Sequence, residues 1–443
     1  DLRMSRGLGD VYKRQIYTKK RGYVMKDIYA VLDIGSATLK FLVAEVNNIN
    51  VNVLFVKTIP SHGVKKGIIE DDRILIRDIR KLIDEAEAFL ESKITSVALT
   101  IPTIKAKLYQ SDSSISLSDA GSKVSTDDIV RVLRLSSKFK RSKDEEVVSI
   151  IPVRYHSDKG ATVEAPLGEL SRNLIVDSLV ITTSKELLYP YISVVEKCGV
   201  EVLDITINAF ACAKEAFDAV YLQEGALLID MGYKTSTVSF YKDGYLQYLT
   251  VCQVGGYDFT RKIAQNMQIS MNQAEAYKIK YGSLDVTQGQ NDIIHTTFVD
   301  EQKRDYTQQD LADLLNETAY EVMNKIKEKI SVIDDISKYE TLIVGGGGEL
   351  EMLDTIATEV LECPVRIYRP DTIGTRDMSL VAAIGMVYYL MERKQVVGDY
   401  TPSLVLPDVT NTMAIRFKGL TKSAPSKQGS KMSKLLDSFF SED

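Results

Sequence analysis

Two short segments, about 200 residues apart, carry the same chemical kit. Ile28–Glu45 reads IYAVLDIGSATLKFLVAE and Gly225–Tyr241 reads GALLIDMGYKTSTVSFY. In each, an apolar run delivers an aspartate (Asp33, Asp230) and a glycine (Gly35, Gly232). Small hydroxyl residues and a second apolar run follow. The pattern predicts a β-hairpin whose turn exposes backbone N–H groups, which is an anion cradle. Two such hairpins facing each other would clamp the phosphates of one nucleotide, with Asp33 and Asp230 holding Mg2+ through water. A third apolar strand, Tyr339–Val344, runs into Gly345, Gly346, Gly347 and Gly348, where missing side chains let a backbone approach a ligand closely. No GxxxxGK[ST] occurs and no GxGxxG follows a strand, so this is neither a Walker loop nor a dinucleotide fingerprint.

Helical periodicity supplies the elements between these hairpins. Amphipathic helices are predicted at Asp71–Ser92, Ser125–Lys138 (capped by Ser125 or Thr126), Glu186–Cys198, Phe259–Met267 and Gln309–Ile330. A β-rich segment with one helix, from about Pro102 to Thr183, interrupts the first half. A second insertion runs from about Arg261 to Lys338 and contains a polar loop at Asp285–Gln309. Strands alternating with helices around two similar openings predict a duplicated α/β fold.

Composition narrows the function classes. The 443 residues carry a net charge of −6, with 26% charged and 44% hydrophobic residues. That excludes wholesale disorder and argues against a nucleic-acid binder. The four cysteines and three histidines are scattered, so neither a disulfide framework nor a His-based metal centre is indicated, and a reducing cytoplasm fits best. The longest apolar run, Met378–Met391, is too short to span a bilayer and predicts a buried helix.

The two ends read differently from the body. Residues 1–24 hold seven basic and two acidic residues and precede Met25, so the remainder stands near −11. They are expected to be a doubtful leader, an artefact upstream of the true start, with a basic binding arm as the rival reading. Residues 395–429, rich in Pro, Ser, Thr, Lys and Gly, read as a flexible linker. Within 430–443, Met432, Leu435, Leu436, Phe439 and Phe440 form one helical stripe, beside Lys431 and Lys434. Such a helix lies in an anionic membrane surface or docks on its own domain or a partner, and the phenylalanines favour the membrane.

Asp33–Lys40, Asp230–Thr237, Gly255–Asp258 and Gly345–Gly348 resemble the phosphate and adenosine motifs of the actin, Hsp70 and sugar-kinase superfamily. Within it the chain resembles the bacterial cell-division FtsA family. Ser61–Ile69 (SHGVKKGII), Ile94–Pro102 (ITSVALTIP), Val194–Val202 (VVEKCGVEV), Ala274–Gly282 (AEAYKIKYG) and Thr372–Met386 (TIGTRDMSLVAAIGM) carry that likeness, which runs from about Ile28 to Lys394. The resemblance implies an actin-like (ribonuclease H-like), two-lobe α/β fold with an inserted 1C-type subdomain. Its expected parts are a first lobe core at 25–101, 184–224 and 380–394, and the insert at 102–183. The second lobe core spans 225–260 and 339–379, and a 2B-like subdomain spans 261–338.

The same resemblance implies an adaptor that binds ATP and Mg2+, assembles into filaments, and binds the C-terminal peptide of the tubulin-like protein FtsZ. Its terminal helix would hold it on the cytoplasmic face of the cell membrane at the division site, with later division proteins as further partners and no nucleic acid. Carried over residue by residue, Gly35, Ser36, Ala37, Thr38 and Lys40 hold phosphate in the first hairpin, and Asp33 and Asp230 lie on the magnesium side. Gly232, Lys234 and Thr235 stand in the second hairpin, Gly255, Gly256 and Asp258 on the ribose side, and Glu275 and Lys278 beside the adenosine. Gly345, Gly346 and Gly347 form the turn at its base.

Departures from the family pattern matter. The second hairpin, usually D-I-G-G-G-T-T-D, here reads Asp230, Met231, Gly232, Tyr233, Lys234, Thr235, Ser236, Thr237. Two turn glycines are lost, and Lys234 either contributes a phosphate charge or is a solvated turn lysine. Thr237 replaces an aspartate, and Asn208 stands where some relatives carry a Glu or Gln that orients water. An amide is no general base, so hydrolysis is expected to be slow or absent. Glu317–Thr318 replace a Pro-Arg pair, so contacts of that arginine do not carry over. The alternatives are a PilM-like pilus assembly scaffold, a degenerate actin-like scaffold without nucleotide, and a small-molecule kinase.

Overall fold

The computed structural model describes residues 27–397, apart from 48–49, 119–120, 287–290, 300–301 and 373, together with 403–404. The expected leader, most of the expected linker and the terminal stripe Met432, Leu435, Leu436, Phe439 and Phe440 lie outside the described residues.

The chain divides into two units. One takes in the chain up to Ala219, Asp371–Thr375 and the chain from Ala382; the other takes in Val220–Pro370 and Arg376–Val381. In the first unit a five-stranded sheet has the order Glu201–Ile207, Ser96–Ile101, Asp27–Ile34, Thr38–Asn47, Asn50–Pro60. Asp27–Ile34 is buried along its whole length, as a central strand covered on both faces must be. It pairs antiparallel with its hairpin partner and parallel with Ser96–Ile101. The second unit repeats this plan, with Ala226–Met231 antiparallel to Ser236–Lys242 and parallel to Glu340–Val344.

Helices cover these sheets as their apolar stripes require. Asp72–Leu90 buries Leu75, Ile79, Leu82, Ile83 and Ala86, the i, i+4, i+7 face of its pattern. Val381–Val397 begins the expected buried helix after a short turn at Met378–Leu380. Gly385 lets it approach Asn208–Ala216, since a Cβ there would overlap the Ala211 carbonyl. Ser125 caps Thr126–Leu135 through a reciprocal bond with Asp128.

The insert folds on its own core. Its four-stranded antiparallel sheet runs Gly160–Thr162, Glu145–Ser157, Asn173–Ser184, Lys107–Ser116. Ile129 and Val132 of helix Thr126–Leu135 pack with Val147, Leu174, Val176 and Val180 of the sheet. Val396, near the end of the last helix, packs against this cluster.

Two features depart from the linear reading. The polar loop expected at Asp285–Gln309 contains a hairpin, Ile293–Val299 with Gln302–Thr307. Its strand character comes from contacts across and outside the hairpin: His295 stacks on Tyr306 of the partner strand and meets the Tyr277 ring of a separate helix. Ser403 and Leu404, inside the stretch read as a linker, are buried. The Ser403 amide donates to the Ile28 carbonyl at 2.8 Å, and the Ser403 carbonyl accepts from the Thr95 amide at 2.8 Å and from Thr95 Oγ1 at 3.0 Å. No helix among the described residues is long and apolar enough to cross a membrane.

Candidate functional site

The two Asp-x-Gly turns are the same object at atomic level. In the first, the Gly35 amide donates to the Thr38 carbonyl at 3.0 Å; in the second, the Gly232 amide donates to the Thr235 carbonyl at 3.0 Å. A Cβ on either glycine would stand 2.8 Å from that same carbonyl oxygen.

In the first unit, strand register assembles a polar cluster at the hairpin mouth. Asp33 lies opposite Lys40 across the hairpin and beside Thr100 in the parallel strand. Its Oδ2 accepts from Lys40 Nζ at 2.9 Å, and its Oδ1 from Thr100 Oγ1 at 2.9 Å and Asn208 Nδ2 at 3.3 Å. Asp33 is 2% exposed, and a carboxylate so enclosed needs a cation and donors of this kind. The turn is braced from outside. Ser36 Oγ accepts from the Gly67 amide at 2.9 Å, and the Ala37 carbonyl from the Ser61 amide at 2.8 Å. Asn208 Oδ1 is buried and accepts nothing among the described residues.

In the second unit two glycine elements stack on the second hairpin. The Gly256 and Tyr257 amides, at the start of helix Gly256–Met267, donate to the Gly232 and Tyr233 carbonyls at 3.0 and 2.6 Å. Asp258 accepts from the Gly255 amide at 3.0 Å and closes the helix end. Gly345, at φ 85°, brings the glycine turn against Asp230: a Cβ there would stand 2.6 Å from Asp230 Oδ1. Gly347 packs on the Met231 and Gly232 carbonyls. Gly346 is more open, with only Ser379 Cβ nearby at 3.5 Å. Burial, then the charges of Glu275 and Tyr257, push the Tyr233 phenol up, so it remains a protonated donor.

The expected adenosine-side pair is engaged within the protein. Lys278 Nζ donates to the Gly256 carbonyl at 3.1 Å, Thr260 Oγ1 at 2.9 Å and Glu275 Oε2 at 2.9 Å, while Thr260 also bonds Glu275. Thus Asp33, Gly35, Ser36, Ala37, Thr38 and Lys40 gather in one unit. Asp230, Gly232, Lys234, Thr235, Gly255, Gly256, Asp258, Glu275, Lys278 and Gly345–Gly347 gather in the other.

Thr100, Thr260 and Tyr257 escaped the linear reading. Thr100, next to last in its strand, reaches Asp33 only through parallel-strand register. No cluster of three metal-ligating side chains occurs among the described residues. The donor set fits a hydrated Mg2+ rather than a directly ligated one. Both Asp33 oxygens already accept hydrogen bonds, and the orphaned Asn208 Oδ1 suits a hydrogen from water.

Comparison with known proteins agrees with this architecture. The family model described as "Cell division protein FtsA" matches residues 227–385, and "SHS2 domain inserted in FTSA" matches residues 105–182. Together they take in more than half of the chain. The cell division protein FtsA of Bacillus subtilis (strain 168) is 25% identical over 436 residues, covering 94% of this chain and 99% of that protein. The FtsA of Staphylococcus epidermidis (strain RP62A) is 27% identical, covering 81% of this chain and 78% of that protein.

Among solved structures, a chain of the PilM-PilN type IV pilus biogenesis complex matches with a TM-score of 0.58 at 15% identity, covering 83% of this chain and 98% of that one. MreB5 of Spiroplasma citri bound to ADP matches with a TM-score of 0.53 at 13% identity, covering 84% and 99%. These identities speak for the fold alone, which is actin-like with an inserted SHS2-type domain. The sequence relatives and the two family models go further, and the chain belongs to the FtsA family of cell-division proteins.

Proposed function

We propose that this protein binds ATP with Mg2+, assembles into filaments and tethers FtsZ to the inner face of the cytoplasmic membrane at the division site. The observation that carries the nucleotide reading is the repeated turn, in which Gly35 and Gly232 make the same 3.0 Å bond behind an aspartate. Bound ATP·Mg would supply the polyphosphate charge that such turns accept. The residues that would hold it are the first-hairpin set Gly35–Lys40, the second-hairpin set Gly232–Thr235, Gly255, Gly256, Asp258, Glu275, Lys278 and Gly345–Gly347. Asp33 and Asp230 would face the hydrated cation. Asn208 positions a water through its free oxygen but takes no proton from it, so hydrolysis is slow. Membrane attachment rests on the stripe Met432, Leu435, Leu436, Phe439 and Phe440, and FtsZ capture on family membership.

Recruitment of a labelled FtsZ C-terminal peptide to anionic vesicles by the full chain tests the reading, with and without ATP. The expected result is recruitment that fails when the chain is cut before Met432. Absence of recruitment in both nucleotide states would sink it.

One observation favours a second reading, a scaffold that keeps the turns but holds no nucleotide: Lys40 and Lys278 spend their ammonium groups on protein acceptors. Equilibrium dialysis decides between the two, since the scaffold shows no ATP uptake at millimolar ligand.

A further inference from the structure

The lysines around the two turns divide their labour unequally. An ammonium has three donors. Lys278 satisfies all three on Gly256, Thr260 and Glu275, locking two helices of the second unit together. Lys40 is committed to Asp33, whose enclosed carboxylate depends on it. Lys234 is different: among the described residues no carboxylate lies within ion-pair distance of it. Its Nζ stands 5.4 Å from the centre of the Tyr257 ring.

That ring is itself fixed. Tyr257 meets the Tyr233 ring edge-on at 5.6 Å, and its amide bonds the Tyr233 carbonyl at 2.6 Å. An aromatic face holds a cation in place without neutralising it. Four backbone donors around the turn are spent within the protein: Gly232 on Thr235, Gly256 on Gly232, Tyr257 on Tyr233, and Gly348 on Gly345. The side-chain charge that this turn can offer an anion is the Lys234 ammonium.

We propose that Lys234, steered by Tyr257 and Tyr233, is the residue of the second hairpin that binds the polyphosphate of a nucleoside di- or triphosphate. It takes the place of the glycine backbone this turn lacks. The inference rests on the nucleotide reading above and assigns one residue the charge contact within it. Tyr257 is a positioning residue.

The test is direct binding to the full chain, by calorimetry or displacement of a fluorescent ATP analogue, with ATP, ADP, tripolyphosphate and adenosine as ligands. Lys234→Ala should weaken ATP, ADP and tripolyphosphate by roughly tenfold or more and leave adenosine unchanged, because a charge-assisted contact is lost. The salt dependence of ATP binding should become shallower. Lys234→Arg should restore part of the affinity, and it remains a probe if the alanine variant folds poorly. Tyr257→Leu should give an intermediate loss confined to the phosphate-bearing ligands.

If the native chain binds ATP and Lys234→Ala binds it equally well, the assignment is wrong while the nucleotide reading stands. Equal losses for ATP and adenosine would also overturn it, because they would mark a structural role. A native chain that binds none of the four ligands overturns both.

Discussion

Lys40 places its ammonium 2.9 Å from Asp33 Oδ2, directly across the first hairpin. The lysine read from sequence as a phosphate charge is thus also the counter-ion of an enclosed carboxylate that accepts from Thr100 and Asn208. Removing Asp33 leaves Lys40 and Asn208 without that partner. Asp33→Ala should therefore cost about 3–5 kcal/mol of stability, the range for breaking a buried pair. Asp33→Asn, which keeps shape and an acceptor, should cost less. Urea unfolding of the two variants checks this, and equal losses would show that the charge is irrelevant to the cluster.

Gly385 marks the closest approach of helix Val381–Val397 to helix Asn208–Ala216, where a methyl group would overlap the Ala211 carbonyl. Backbone cannot yield as a side-chain tip does. Gly385→Ala should destabilise the first unit by about 1–3 kcal/mol despite its better helix propensity. A thermal melt reads it, and a variant as stable as the parent would contradict the packing described.

Ser403 and Leu404 fasten the chain to the first unit beside Ile28 and Thr95. Ser403→Pro removes the donor to Ile28, and Leu404→Ala removes buried side-chain volume worth about 2–5 kcal/mol. Either should raise the exchange rate of the Thr95 amide and leave Leu99, mid-strand in the same sheet, protected. Hydrogen exchange with peptide resolution distinguishes these. Fast exchange at Thr95 in the parent chain would mean that the clip does not form.

Glu145 in the insert accepts from Lys107 at 2.5 Å, Tyr109 at 2.9 Å and Thr182 at 3.3 Å. The Lys107 hydrogen bond, opposed by burial, holds its carboxyl below the ordinary glutamate range. A lowered folded-state value means that the unfolded chain binds the proton more readily. The stabilisation is therefore present above the ordinary range and fades as pH falls through the lowered value. Glu145→Gln should lower the urea midpoint at neutral pH and narrow its gap to the parent in acid. A gap independent of pH would assign the effect to packing instead.

Much of the local structure was legible because it depends on neighbours in the chain. Apolar runs closing on Asp-x-Gly announced both hairpins, the Ser125 cap announced its helix, and the near-continuous apolar run at Met378–Met391 announced a buried one. The hairpin of Ile293–Val299 with Gln302–Thr307 was hidden, because its polar alternation becomes strand only when His295 pairs with Tyr306 across it and meets Tyr277 of a separate helix.

The sequence by itself determined which residues reach the two turns and which family the motifs resemble, since hairpin geometry and motif spacing are short-range properties. Tertiary structure alone decided what those residues do on arrival. Asp33 meets Thr100 across 67 positions and Asn208 across 175, and Thr95 meets Ser403 across 308. Such pairs follow from the register of parallel strands and the packing of distant helices, which no local pattern encodes. The commitment of Lys40 and Lys278 to protein acceptors, and the seat of the Lys234 ammonium over the Tyr257 ring, appear only once those partners are in place.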